Sequence, residues 1–363
     1  MLVTTQTLRK EASLMKKHTI SLQLIQRFLS EEELKMILEE FNHIETASKC
    51  TVFVLLSYLI HAAANEWKGL CHAVDVSASI GLICVDHSSL SKHMKALDYA
   101  IMKRVFDVIV NKLNRAARRS LKLPKKQLLS VDSTTITVGK TRLPCALYHG
   151  EKAGIKLHVS YTNTTGMPLK VVETTGLKHD GPLGIQLEDP RFILVGDRAY
   201  FSIEKIDRYL KEKQDFVFRL KENITLHRKK TLAGTRSKGS NVVADFTCII
   251  GLSPNKTEKR HRVVEFLDHD GEMIRVVTSL RNITAEEIAE MYKSRWAIES
   301  FFRWIKQNLN VPVLFGTSEN AVFNQLFAAL IAYVILRWLF TQGNKTTLLQ
   351  KAIFCRLFTH ASL

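Results

Sequence analysis

The run YKSRWAIESFFRWIKQNL, Tyr292 to Leu309, combines helical periodicity with an unusual load of charge. At about 100° per residue, Tyr292, Arg295, Glu299, Arg303 and Lys306 fall within an arc of roughly 80°. Ile298, Phe301, Phe302, Ile305 and Leu309 take the neighbouring arc. One edge of the predicted helix therefore packs into a core, and the adjoining stripe presents a carboxylate bracketed by cations. A salt-bridged surface stripe has the same spacing. It does not account for Arg295 and Lys306 on either side of one acid, beside Trp296 and Trp304. A carboxylate that holds a metal ion, with Arg, Lys and Tyr gripping phosphates along the same line, accounts for all of it.

Two more acids stand where such chemistry would need them. Asp132 lies in the β-branched run QLLSVDSTTITV, and Asp197 closes the apolar run RFILVGDRAY, a predicted buried strand with an acid at its tip. Either Asp alone also reads as a turn or cap residue. With Glu299 they make three hard oxygen donors on separate elements. That is the set two magnesium ions about 3.5–4 Å apart need during in-line attack on a phosphate.

Composition points the same way. The chain has 363 residues, 46% of them hydrophobic, enough for a sizeable core and more than one domain. Its 52 Lys+Arg against 35 Asp+Glu leave a net charge of +17, which implies a polyanionic partner, most simply nucleic acid. The charge is spread along the chain, so a basic surface has to be assembled by folding. The six cysteines are isolated and include no C-x-x-C pair; reduced thiols in a cytosolic protein are the expectation. The first residues lack an apolar stretch after their positive charges, so no secretory signal is predicted. In Ala321–Phe340, Asn324, Gln325 and Arg337 leave about eleven clean apolar residues, short of the roughly 20 a bilayer needs. A buried core helix is predicted there, and no membrane partner.

The chain divides into four predicted segments. Residues 1–123 read as helical, with a capping box at Ser30 and Glu33. Within them, about 80–115 has the pattern of a helix-turn-helix, Ser88, Ser89, Ser91, Lys92, His93 and Lys95 leading the second helix. An ordinary surface helix fits the same spacing. Residues 124–222 read as strands, with a turn at Asn163–Gly166, then a helix and a further strand. Residues 223–280 read as a β-rich, basic insertion, and 281–363 as helices, the first capped by Thr284 and Glu287. The class is α/β, a sheet with helical cover.

Tyr292, Arg295, Glu299 and Lys306 meet in full the pattern Tyr-x2-Arg-x3-Glu-x6-Lys. This resembles the signature of DDE transposases of bacterial insertion sequences, specifically the insertion-sequence-four family. The blocks VDSTTI, GIKLHVSY, TTGLKHD, VGDRAYFS, FVFRLKEN and GTSENAVFNQLFAALIAYVIL look like successive family blocks, so the resemblance runs from about Gln127 onward. It implies an RNase H-like mixed-sheet core with the β-rich insertion before the Glu helix, and a helical N-terminal DNA-binding domain. It implies that Asp132, Asp197 and Glu299 are catalytic and bind two Mg2+ ions, Mn2+ being able to substitute. Tyr292, Arg295 and Lys306 match positions that contact the element end, and Arg303 lies on the same stripe. The implied partners are double-stranded DNA, as terminal inverted repeats and as target, and a second copy of the chain on paired ends.

The implied reaction exposes a 3′-hydroxyl at each end and joins it to target DNA, with a terminal hairpin in some relatives. A flipped base there stacks on an aromatic residue of the insertion, where this chain has Phe246 and Phe266 but no tryptophan. Arg198 reads as a phosphate contact or as a partner of Asp197. Lys152 and Lys156 read as DNA contacts or as solvated. His179–Asp180 reads as an active-site or a turn pair, and His158 as structural. Two other readings stay open: an RNase H-like nuclease that cuts without joining, and a DNA-binding protein of transposase descent without catalysis.

Overall fold

A computed structural model of the chain describes residues 22–121, 126–139, 152–176, 183–232, 240–308 and 313–343, with positions 141, 143 and 146 between them. In chain order its elements are α1 (Leu22–Phe28), α2 (Glu31–Glu40), α3 (Val52–Ala64), α4 (Leu70–Ser77), α5 (His87–Ala96) and α6 (Tyr99–Leu121). Then come β1 (Leu128–Gly139), β2 (Lys152–Thr162), β3 (Met167–Thr175), β4 (Ile193–Gly196), α7 (Ile203–Glu212) and β5 (Phe216–Arg219). The remainder is β6 (Leu226–Thr231), β7 (Val242–Leu252), β8 (Asn255–Lys256), β9 (His261–Leu267), β10 (Met273–Thr278), α8 (Ala285–Lys293), α9 (Trp296–Asn308) and α10 (Glu319–Gly343). They form two compact units: Met1–Ala117 with Ile136–Gly154 and Arg303–Leu363, and Arg118–Thr135 with Ile155–Phe302.

The first unit is helical. Its α2 starts with the expected capping box, Ser30 N donating to Glu33 Oε2 at 2.9 Å and Glu33 N to Ser30 Oγ at 3.2 Å. The helix α10 is apolar on all sides and long enough to cross a bilayer, but 83% of that stretch is buried inside the protein. Two of the polar residues that interrupt it, Asn324 and Gln325, hydrogen-bond to the backbone of neighbouring segments. Asn324 donates to the carbonyls of Met94 (3.1 Å) and Leu97 (2.8 Å), satisfying groups at the C-terminal end of α5.

The second unit is built on a ten-stranded mixed sheet with order β3-β2-β1-β4-β5-β10-β9-β7-β6, β8 pairing with β7. At its centre β1, β4 and β5 run parallel. The strands from β5 through β10, β9 and β7 to β6 are antiparallel, so the basic region extends the same sheet. All four residues of β4 are buried, as expected for a strand covered on both faces. Leu194, with Phe216 and Phe218, packs under Ile206 and Tyr209 of α7. Ile193 and Val195 face the other way, against Ala285, Ile288, Ala289 and Tyr292 of α8. Gly196 allows this pairing, since a Cβ there would lie 2.4 Å from the Phe218 ring.

The signature region differs from the single helix predicted for it. The chain breaks at Ser294–Arg295, giving two helices, α8 and α9. At the break the backbone tightens to i→i+3 bonds, Arg295 N donating to the Tyr292 carbonyl and Ala297 N to the Ser294 carbonyl, both at 3.1 Å, and a side chain from another element holds the turn. Asn163, in the β2–β3 turn, donates its amide to the Ser294 carbonyl at 2.7 Å and to Ser294 Oγ at 3.0 Å. Tyr292 and Arg295 therefore belong to the end of one helix and the turn after it, and do not continue the stripe of Glu299, Arg303 and Lys306.

Candidate active site

The last paired residues of β1 and β4 are Val131 and Gly196, so the parallel register alone sets Asp132 beside Asp197 at the carboxyl ends of neighbouring strands. Open α/β sheets carry their ligands at such ends. Glu299 reaches the same place from the first turn of α9. The link is Arg295, whose Nη1 donates to Asp132 Oδ2 and whose Nη2 donates to Glu299 Oε1, both at 2.7 Å. Tyr292 donates its hydroxyl to Asp197 Oδ1 at 3.3 Å and lies 5.8 Å from the guanidinium. Each acid is thus engaged by Tyr292 or Arg295.

Burial decides the electrostatics. Desolvation pushes the Asp132 carboxyl up to about 6, against the pull of Arg295 and of the Ser133 amide; Asp197 and Glu299 add to the rise. Burial also pushes the Tyr292 phenol up to about 12, so it remains a hydrogen-bond donor at neutral pH. For Arg295 burial works against charge, yet the neighbouring Tyr292, Asp132 and Glu299 hold its guanidinium above the ordinary range. Its Nε is buried and has no partner among the described residues.

The other predicted site residues are dispersed. Arg198 is exposed and pairs with Glu222 at 3.6 Å, so its partner is not the adjacent Asp197. Arg303 and Lys306 are exposed and Lys156 is half-buried. The Lys152 side chain and the pair His179–Asp180 lie outside the described residues. His158 is buried, its Nε2 3.0 Å from Thr174 Oγ1, which fits its structural reading. Phe246 and Phe266 are both core residues, 4% and 0% exposed, and offer no face to a base. Among the described residues, Trp296 is an exposed ring, 53% exposed and three residues before Glu299 in the chain. The edge of His269 stands 6.2 Å from it. Asn163 was legible only as a turn residue. Nothing in its local sequence signals that it holds Ser294, or that it accepts from Ser130 Oγ at 2.8 Å.

The Transposase DDE domain model matches residues 123–335, spanning all three acids. The chain belongs to the DDE transposase family. It is 52% identical over 333 residues to a Geobacillus stearothermophilus protein named as a transposase for insertion sequence element IS5377, across 92% of this chain and 88% of that one. A Synechocystis protein named as a transposase for insertion sequence element IS4SA is 28% identical, across 76% of this transposase and 78% of the relative. The Sinorhizobium fredii transposase y4zB is 32% identical, across 66% and 67%. A solved piggyBac transposase synaptic complex with hairpin DNA overlaps at a TM-score of 0.47 and 13% identity, covering 95% of this chain and 81% of that one. That is below the level at which a shared fold is inferred.

Three carboxylates converging on the end of a sheet fit hard divalent cations by donor chemistry. Among the described residues, Asp268, His269 and Asp270 also cluster, with donor atoms within 4.8 Å of one another. That cluster is a surface turn in which Asp268 Oδ1 accepts from the amides of Asp270 and Glu272, both at 2.9 Å. The acids of the sheet end are spaced more widely, since the guanidinium of Arg295 stands between Asp132 and Glu299.

Proposed function

We propose that this transposase cuts the ends of an insertion sequence and joins their 3′-hydroxyls to target DNA, using Asp132, Asp197 and Glu299 as its catalytic acids. The observation that carries the reading is the meeting of these acids, widely separated in sequence, around Tyr292 and Arg295 at one end of a parallel strand pair. The strand order β3-β2-β1-β4-β5, with acids on the first strand and after the fourth, supports an RNase H-like core. Divalent ions held by the three carboxylates would activate the attacking hydroxyl and stabilise the leaving oxygen. Arg295 supplies positive charge close to both Asp132 and Glu299, and Tyr292 orients Asp197 by its hydroxyl. Exposed Arg303, Lys306 and Arg198, with Lys156, supply phosphate contacts.

The helical N-terminal region is the proposed reader of terminal repeats. In α5, Ser88, Ser91, Lys92 and Lys95 are exposed while Leu90 and Met94 are buried, a face suited to a groove. A pair of chains acts on paired ends. If second-strand cutting runs through a hairpin, Trp296 is the ring placed to stack an unpaired base, because Phe246 and Phe266 are core.

The test is a strand-transfer assay with paired element ends carrying free 3′-hydroxyls, a supercoiled target and Mg2+. The parent should produce joined product, and Asp132→Asn, Asp197→Asn and Glu299→Gln should each abolish it while retaining end binding. Nicking without joining would identify a nuclease instead. End binding with neither would identify a catalytically silent DNA-binding protein.

A further inference from the structure

Asp197 also forms one wall of an open cleft of about 520 Å³, lined further by Arg198, Ala199, Lys221, Glu222 and Asn223. That volume lies in the range of about 300–1,000 Å³ usual for small-ligand pockets. Two turns frame it, one after β4 and one after β5, brought together because Gly196 is in register with Phe218. The hollow therefore begins at a proposed catalytic acid and is walled by two cations, an acid and an amide. Arg198 and Glu222 form a pair at 3.6 Å with side chains 53% and 83% exposed. So exposed a pair is weakly held and gives way to an incoming anion.

A track for phosphates alone would not place Glu222 here, since its charge repels the backbone it would have to accommodate. A carboxylate and a side-chain amide beside two cations fit a ligand that is anionic at one end and a hydrogen-bond donor at the other. We propose that the cleft is a subsite for one unpaired nucleotide of the strand being cut. Its phosphate lies against Arg198 and Lys221, and the polar edge of its base is read by Glu222 and Asn223. The proposal rests on the DNA-cutting reading of the neighbouring acids. Glu222 accepts only, so with Asn223 set against N3 it favours the exocyclic amino group of cytosine at position 4, as carboxylates do with cytosine N4, and the N3–H donor of thymine falls to Asn223. Thymine presents a carbonyl oxygen where cytosine has that amino group. Asn223 both donates and accepts, and completes contact with the remaining edge.

The experiment measures binding of fluorescein-labelled oligo-dC and oligo-dT decamers to the full-length protein, by anisotropy in buffer without divalent ions. The two probes share backbone and ring size and differ at the edge in question. The parent should bind oligo-dC about fivefold more tightly than oligo-dT, and Glu222→Gln and Asn223→Ala should bring the ratio below about twofold. Arg198→Ala and Lys221→Ala should weaken both probes alike and leave the ratio in place. Equal binding of both probes by the parent overturns the subsite, as does a preference that survives both Glu222→Gln and Asn223→Ala. If one of those two variants fails to fold, by its circular-dichroism melt, the other decides. Magnesium-dependent cutting of supercoiled plasmid by the parent is scored separately. A flat ratio with cutting intact removes only the subsite, whereas loss of cutting removes the reading on which it rests.

Discussion

Arg295 is the residue on which the site's electrostatics turn, because one buried guanidinium serves both Asp132 and Glu299. Replacing it with Gln leaves two acids facing each other without a counter-charge, and cutting should fall by about a hundredfold or more. Manganese titration of Arg295→Gln should still show binding; loss of manganese as well would mean that Arg295 shapes the carboxylates and does not act on DNA. Asp132, pushed up to about 6, makes a pH prediction. Below that pH the metal-free carboxyl holds a proton that an incoming cation must displace, so manganese affinity should drop about tenfold per pH unit there and level off above. A manganese affinity that stays flat down to about pH 5 would show that Asp132 does not hold the ion. Stability runs in the opposite direction. The folded carboxyl is raised from 3.8 to about 6, so the folded state binds the proton more tightly, and stability declines as pH rises through that window. Asn163 acts at this scale too. Asn163→Ala leaves polar groups of Ser130 and Ser294 short of partners, and should lower unfolding free energy by about 1–3 kcal/mol in urea titrations.

At the scale of elements, the break between α8 and α9 is what turns Arg295 inward while Glu299 stays on a helix. The entry to α8 is pinned in its turn. Arg262, 1% exposed on β9, pairs with Asp245 of β7 at 2.7 and 2.9 Å and donates to the carbonyls of Leu280 and Ile283 at 3.0 and 2.9 Å. Removing one member of a buried pair strands the other, so Arg262→Ala should cost about 3–5 kcal/mol by denaturant melts. The double replacement Arg262→Met with Asp245→Leu should recover much of that loss; equal loss in single and double variants would show that the two carbonyl contacts matter more than the pair. In α3, His61 is fully buried, and desolvation lowers its pKa to about 4. A depressed histidine pKa means the unfolded chain binds the proton more readily between about 6.5 and 4. Stability should accordingly fall as pH drops through that range, by up to about 3 kcal/mol. His61→Phe should flatten this pH dependence, and melts at several pH values would test it.

For the whole molecule, the net charge of +17 sets how strongly DNA binding responds to salt. Each neutralised phosphate releases counterions, so raising salt from about 50 to about 200 mM should weaken binding by about a thousandfold if roughly six phosphates are engaged. A shallow salt slope in anisotropy titrations would contradict a broad basic interface. The charge sits on a molecule whose apolar residues are well used. The α10 helix, membrane-like in length, is taken up as core, and one sheet joins the strand that carries Asp132 and the strand that leads to Asp197 to the basic region.

The three acids, the buried strand ahead of Asp197, the capped helix starts and the apolar α10 were all legible in the chain, because each depends on local spacing and periodicity. The family resemblance rested on the same short patterns. Folding alone supplied the rest. The turn at Ser294 is held by Asn163, 131 positions away, and Phe246 and Phe266 are buried in the folded sheet. In its bridging role Arg295 contacts Asp132, 163 positions away. Such contacts depend on strand register and on which side chains are removed from water, and neither is encoded in a window of neighbouring residues.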